Sequence, residues 1–288
     1  MNDYDNLVSI LHLQIFLRVW INFFQMISIL PHSYQNISIQ LYTARHFKPF
    51  EPILGFFSET GIKNIELFGL EAIDVNHFQQ MMDSYNISSN STHVSFEALD
   101  NSDNIIEKAN KLSIKHVIVP APPARKNAEF KNTFDMNEEE WTSFGKDLSK
   151  HVKKFEDAGL TLGYHNHSYE FIPLASGKLP IECMMEHDEN LKFEIDLGWT
   201  VAGGADPKVW IERYSEKIVA CHLKDFFHKE KDMLDHDNQS AVGDGFIDWK
   251  ELLDSIRHTK CELFILEHDD PKDYKEYTKR SIDNLGKI

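Results

Sequence analysis

Four short apolar runs in this chain end in side chains that bind protons or metals. Leu160-Thr161-Leu162-Gly163-Tyr164 leads into His165-Asn166-His167, Phe193-Glu194-Ile195 into Asp196, Val219-Ala220-Cys221 into His222, and Phe264-Ile265-Leu266 into Glu267. Two imidazoles and two carboxylates suit a divalent ion such as Mn²⁺, Co²⁺, Fe²⁺ or Zn²⁺ and leave positions open for substrate oxygens, whereas Mg²⁺ prefers oxygen ligands throughout. Taken singly, each residue has an ordinary explanation: a lone His is usually a satisfied core or surface group, and an acid after a strand is usually a cap or turn residue. The set gains meaning only if the four runs end side by side.

From Ile37 onward the pattern brings them there. Short β-branched or apolar runs at 37–42, 64–68, 92–96, 116–120, 160–166, 191–196, 218–223 and 262–267 alternate with longer amphipathic segments, as parallel βαβ units do. Eight such strands predict one α/β domain, a (β/α)₈ TIM barrel spanning 36–288, with the ligand-bearing ends on one mouth. The intervening helices carry end signals. Asp206-Pro207 opens a helix over 208–216, Asp248 caps 249–258, and Gly159 closes 137–158; further helices are expected at 101–112 and 271–285.

Composition narrows the partners. With 288 residues, of which 42% are hydrophobic, the chain can bury a full core, and its formal charge of −16 opposes binding to nucleic acid or anionic membrane. Cys183, Cys221 and Cys261 form no paired motif, so a reducing, cytoplasmic setting is the default. The segment 1–35 is an apolar extension. Residues 7–30 approach the length of a membrane span but are broken by His12, Arg18 and Asn22, which leaves export or anchoring as the alternative to an amphipathic extension or a start at Met26. Two long connections stand over the mouth. Pro120 to Asn137 carries Arg125 and Lys126 and reads as a rigid loop or a lid over substrate; Phe226 to Ile247 ends in Val242-Gly243-Asp244-Gly245, whose glycines read as turns.

Several motifs in order, Gln40-Leu41-Tyr42, Ile65-Glu66-Leu67-Phe68-Gly69, Tyr164-His165-Asn166-His167 with Glu170-Phe171, Asp196-Leu197-Gly198-Trp199, Gly204-Ala205-Asp206-Pro207 and His222-Leu223-Lys224-Asp225-Phe226, resemble the sugar phosphate isomerase/epimerase family. These xylose-isomerase-like TIM barrels also include inosose dehydratases and sugar 3-epimerases. The resemblance implies one divalent metal ion, Mn²⁺ first, a small sugar or cyclitol substrate, and a reaction at the carbon next to a carbonyl. In many members a Glu-Asp-His-Glu set holds the metal and its two glutamates move protons. Asp196, His222 and Glu267 match the last three positions, while His165 stands where the first glutamate would be, so His167 or Glu170 is expected to supply the missing base.

The same chemistry follows from the residue types. A metal chelating a carbonyl and an adjacent hydroxyl lowers the energy of an enediolate, and a nearby carboxylate or imidazole removes the α-proton. Isomerisation, epimerisation and loss of water share that step. The leading expectation is an isomerase or epimerase; a lyase of the inosose dehydratase type or one acting on 3-keto sugars is second, and a sugar-binding barrel without catalysis is third. Lys224, two residues beyond His222, is placed to offset an oxyanion. Glu66 and His93 are expected to bind sugar hydroxyls and Trp199 to stack on a sugar face. A homo-oligomer remains open.

Overall fold

The computed structural model describes residues 37–123 and 136–288. The N-terminal extension and most of the expected lid, Arg125 and Lys126 included, lie outside the described residues. Eight parallel strands, β1 (Ile37–Gln40), β2 (Asn64–Phe68), β3 (Ser88–His93), β4 (His116–Val119), β5 (Thr161–His165), β6 (Lys192–Asp196), β7 (Ile218–Leu223) and β8 (Leu263–Leu266), form a closed barrel in sequence order. β1 pairs with β8 through Ile37 opposite Phe264 and Ile39 opposite Leu266, which completes the ring. The helices are α1 (Glu51–Glu59), α2 (Val75–Ser84), α3 (Ser102–Lys111), α4 (Glu138–Asp157), α5 (Pro180–Met185), α6 (Leu197–Ala202), α7 (Pro207–Arg213), α8 (Trp249–Ile256) and α9 (Tyr274–Leu285). Among the described residues no helix is long and apolar enough to cross a membrane.

Local chemistry sets these boundaries. Asn137 and Glu140 form a reciprocal capping box at the start of α4, and Trp141, Phe144, Leu148, Val152 and Phe155 recur along its buried face. Full burial of side chains of this kind contributes about 1.5–3 kcal/mol each. Asp206, Asp248 and Asp273 each accept backbone N–H bonds at the starts of α7, α8 and α9.

The third strand departs from the expectation. It runs over Ser88–His93 rather than 92–96, and residues 96–101 form a 3₁₀ turn. The Ser-Ser-Asn-Ser run looks like loop sequence because serine competes for backbone bonds. Here Ser89 Oγ donates to the carbonyls of Ile65 and Ser91, 3.0 and 2.9 Å away, next to a register shift between β2 and β3. Its hydroxyl therefore joins the ladder instead of breaking it.

One ion pair and one histidine brace the N-terminal side of the barrel. Lys115 meets Glu262 at 2.7 Å, and the buried His116 ring bonds Thr161 Oγ1 at 2.8 Å. Burial, reinforced by Lys115, lowers the His116 pKa from an ordinary 6.5 to about 4. The unfolded chain then binds a proton that the folded chain refuses. The contribution of His116 is full above about pH 6.5 and is lost as the pH falls through about 4. Urea melts between pH 7 and 4 should show stability falling through this window, with a shallower slope in His116→Asn; an unchanged slope would contradict the assignment.

Candidate active site

Contacts across the barrel show which side chains point inward. β3 and β6 are not neighbours, yet His93 Nε2 lies 2.6 Å from Glu194 Oε1; β2 and β7 are not neighbours, yet Glu66 Oε2 lies 2.8 Å from His222 Nε2. The two-residue alternation of strands then places Glu194 with Asp196, and Ala220 with His222 and Lys224, on the interior face. A small apolar cluster containing Ala220, Leu263 and Ile265 is separate from the main core, and the buried polar residues His222 and Glu267 stand two positions beyond Ala220 and Ile265.

At the strand ends, ligand atoms of His165, Asp196, His222 and Glu267 lie within 4.8 Å of one another, and all four residues are buried. His222 Nδ1 is 3.1 Å from Glu267 Oε2. Lys224, fully buried, places Nζ 3.0 Å from Glu267, 2.7 Å from Asp269 and 3.8 Å from Asp196. Burial pushes the Asp196 carboxyl up to about 7 against the pull of Lys224. Glu267 is buried too, but Lys224 and His222 hold it well below the usual carboxylate range. Asp196 Oδ2 is a buried atom with no hydrogen-bond partner. That open valence, with the mixed imidazole and carboxylate donors, fits a divalent ion.

Below this group lies a second, centred on Glu194, a carboxylate for which the sequence suggested no role. Glu194 Oε1 receives His93 Nε2, lies 3.1 Å from His222 Nε2 and lies 3.1 Å from His165 Nδ1. Glu66 Oε2 takes Gln40 Nε2 at 2.7 Å, His222 Nε2 at 2.8 Å and His93 Nε2 at 3.2 Å. Burial opposes the charge on Glu66, yet His93 and His222 bring it well below the usual range; the same carboxylates, Glu66 and Glu194, raise His93 to about 10. His165 is pushed well below its ordinary value, first by burial and then by His222 and His93, so its ring is neutral. Glu66 and His93, expected at sugar hydroxyls, are therefore engaged with each other, and Glu66 is fully buried. The alternation from Asp196 back to Glu194 was the sequence signal for this second carboxylate.

The remaining candidates are split. His167 is half-buried, its ring 5.1 Å from that of His165 and stacked on Tyr169 at 5.4 Å. Burial and Lys224 lower it to about 4, so it is a neutral imidazole at pH 7. Glu170 does not join the group. Its carboxylate accepts from Tyr164 Oη at 2.5 Å and from the backbone N–H of His167 at 2.9 Å, and Tyr164 packs 5.8 Å from Phe144 of α4. Tyr164 alternates with His165 and faces the helices, so Glu170 braces the loop from the far side of the strand. Trp199 is buried with Lys224 Nζ 4.5 Å over its ring, a cation–π contact that covers the face expected to meet a sugar.

Close packing fixes Lys224. A Cβ on Gly198, at the start of α6, would stand 2.7 Å from Lys224 Cβ and strike the Lys224 carbonyl. Gly198→Ala should displace the ammonium and weaken turnover far more than it lowers the melting temperature; wild-type rates in a folded variant would refute this.

The long connection after β7 hangs on Asp225. Its Oδ2 accepts from Gly243 N, Gly245 N and Trp249 Nε1 at 2.9, 3.2 and 2.8 Å, and its Oδ1 from Phe226 N at 2.8 Å and Ile247 N at 3.3 Å. The glycines are turns around this carboxylate. Gly245 passes so near that a Cβ there would lie 2.5 Å from Asp225 Cγ. The same connection reaches the site through Gln239, which bonds Asp269 by both ends of its side-chain amide.

A family model for the xylose isomerase-like TIM barrel matches residues 50–288. The chain belongs to that family. An inosose dehydratase from Clostridium perfringens is 26% identical over 150 residues, 48% of this chain and 50% of that enzyme. The chain thus spans about half the length of the curated relatives it matches first. Among solved structures, a sugar phosphate isomerase/epimerase from Parabacteroides distasonis superposes with a TM-score of 0.71 at 18% identity, covering 88% of this chain and 98% of that one. The IOLI protein, whose structure contains a bound zinc atom, gives 0.67 at 16% identity, with 88% and 95% covered. At these identities the structural likeness establishes the fold.

Proposed function

We propose that this chain is a metal-dependent enzyme that removes the proton next to a carbonyl of a small sugar or cyclitol, with dehydration as the outcome. The observation that carries it is the convergence of His165, Asp196, His222 and Glu267 beside a buried Lys224 and a neutral His167. The divalent ion these four residues would hold supplies Lewis-acid polarisation of a carbonyl. Mn²⁺, Co²⁺, Fe²⁺ and Zn²⁺ all suit the donors, and the zinc of the IOLI protein adds weight to the last.

The chain's own residues divide the remaining work. His167, uncharged and within reach of the ligand group, takes the α-proton; its electron pair moves onto the carbonyl oxygen, where the Lys224 ammonium offsets the charge. Collapse of that enediolate then expels a hydroxyl from the next carbon, which leaves as water with the proton from His167. Glu267, ionised beside Lys224, keeps the cations at the mouth in balance. Glu170 holds the loop that carries His167 and is a positioning residue. Asp196 and His222, with His165 and Glu267, would hold the metal. Dehydration is preferred because the curated relatives include inosose dehydratases from several bacteria. Epimerisation or isomerisation is the second reading and is favoured by the P. distasonis neighbour.

Incubation of the metal-loaded protein with inososes and ketoses in deuterated water distinguishes these outcomes. Dehydrated product identifies the lyase, and label at the α-carbon of a recovered or isomerised sugar identifies the alternative. No exchange with any polyhydroxy ketone under Mn²⁺, Co²⁺ or Zn²⁺ would leave a non-catalytic sugar-binding barrel.

A further inference from the structure

The barrel contains more ligand atoms than one metal ion can use. A second set, His93, His165, Glu194 and His222, has its nitrogen and oxygen atoms within 4.8 Å of one another, and every member is buried. Three imidazole nitrogens converge on one oxygen, Glu194 Oε1, at 2.6, 3.1 and 3.1 Å. Glu194 Oε2 and His165 Nδ1 are buried without hydrogen-bond partners, and His165 is only 2% exposed. Buried ligand atoms that find no hydrogen-bond partner in so polar a core have the chemistry to bind a cation.

We infer that these four residues form a second cation site, deeper in the barrel than the one at the mouth and selective for a borderline ion such as Zn²⁺ or Co²⁺. Three imidazoles and one carboxylate make a softer donor set than Asp196 and Glu267 provide, which favours such ions over Mn²⁺. Sharing His222 does not force a choice between the sites. Its Nδ1 faces Glu267 at the mouth, and its Nε2 faces Glu66 and Glu194 below. Glu66 Oε2, steadied by Gln40, lies 3.2 Å from His93 Nε2 and 2.8 Å from His222 Nε2, the same nitrogens that face Glu194, so it stands beside Glu194 as a further oxygen at the site. The inference rests on the proposed function only in that both sites share His165 and His222.

Equilibrium dialysis of the full chain, stripped with a chelator and reloaded with Co²⁺, tests it when bound metal is counted by mass spectrometry and followed by visible ligand-field absorption. Two equivalents are expected in the wild type, and one in each of Glu194→Gln, His93→Gln and Asp196→Asn, every variant being checked for a native melt. His93 lies nearer the surface than Glu194, so His93→Gln serves if Glu194→Gln fails to fold. One equivalent that is lost in Glu194→Gln and kept in Asp196→Asn would support the deep site while removing the metal centre of the proposed function. One equivalent kept in Glu194→Gln and lost in Asp196→Asn would overturn the deep site and leave that function standing. Loss of a single equivalent in both variants, or no metal in the wild type, would also overturn it.

Discussion

Glu267→Gln should bind divalent metal at the mouth at least about 100-fold more weakly and lose α-proton exchange by about 10²–10⁴, while melting close to the wild type. Removing groups one layer behind a ligand already lowers metal affinity roughly 10–100-fold, and a misplaced proton-transfer step accounts for the remainder. The fold survives because neither cation beside Glu267 is abandoned. Lys224 keeps Asp269 at 2.7 Å, and His222 keeps Glu66 at 2.8 Å. Titration calorimetry with Mn²⁺, paired with exchange rates at saturating substrate, checks both halves. An unchanged metal affinity would remove Glu267 from the ligand set, and an unchanged exchange rate would remove the mouth from the chemistry.

Asp225→Ala should be the most destabilising single change near the site. It strips the shared acceptor from four backbone N–H groups and the Trp249 indole. Loss of a buried charged partner of this kind costs about 3–5 kcal/mol, which for a chain of this size lowers the melting temperature by about 10 °C. The damage should reach function through the loop, since Gln239 holds Asp269 and Asp269 holds Lys224. Calorimetric melts and a KM-against-kcat comparison test this; a shift of less than about 1 kcal/mol would mean the loop is held by something else.

The sequence was most legible where periodicity and caps agreed. β2 and β7 occupy their expected spans, and the Asp206 and Asp248 caps open helices where acid-then-helix patterns place them. β3 was displaced because a serine-rich stretch satisfies a sheet through its hydroxyls, which no hydrophobic pattern reports. The site was legible as strand ends but not as depth. Glu194 sits between Phe193 and Ile195 like an ordinary buried strand residue, and only contact across the barrel with His93 reveals its partner. Glu170, three residues beyond His167, looked close to the chemistry in sequence, yet strand alternation sends its partner Tyr164 to the opposite face.

The pairing of Ile37 with Phe264 also bears on how copies of this chain can meet. A sheet that closes on itself has no row of free backbone donors and acceptors, and among the described residues the other ladder is only the two-residue pairing of Asp225–Phe226 with Gln239–Ser240. Intermolecular strand addition, the common route to fibrils and swapped sheets, has no template in the barrel. Self-association through the described residues must therefore be made by helix surfaces and loops, and it should leave the amide-exchange protection of the barrel strands unchanged.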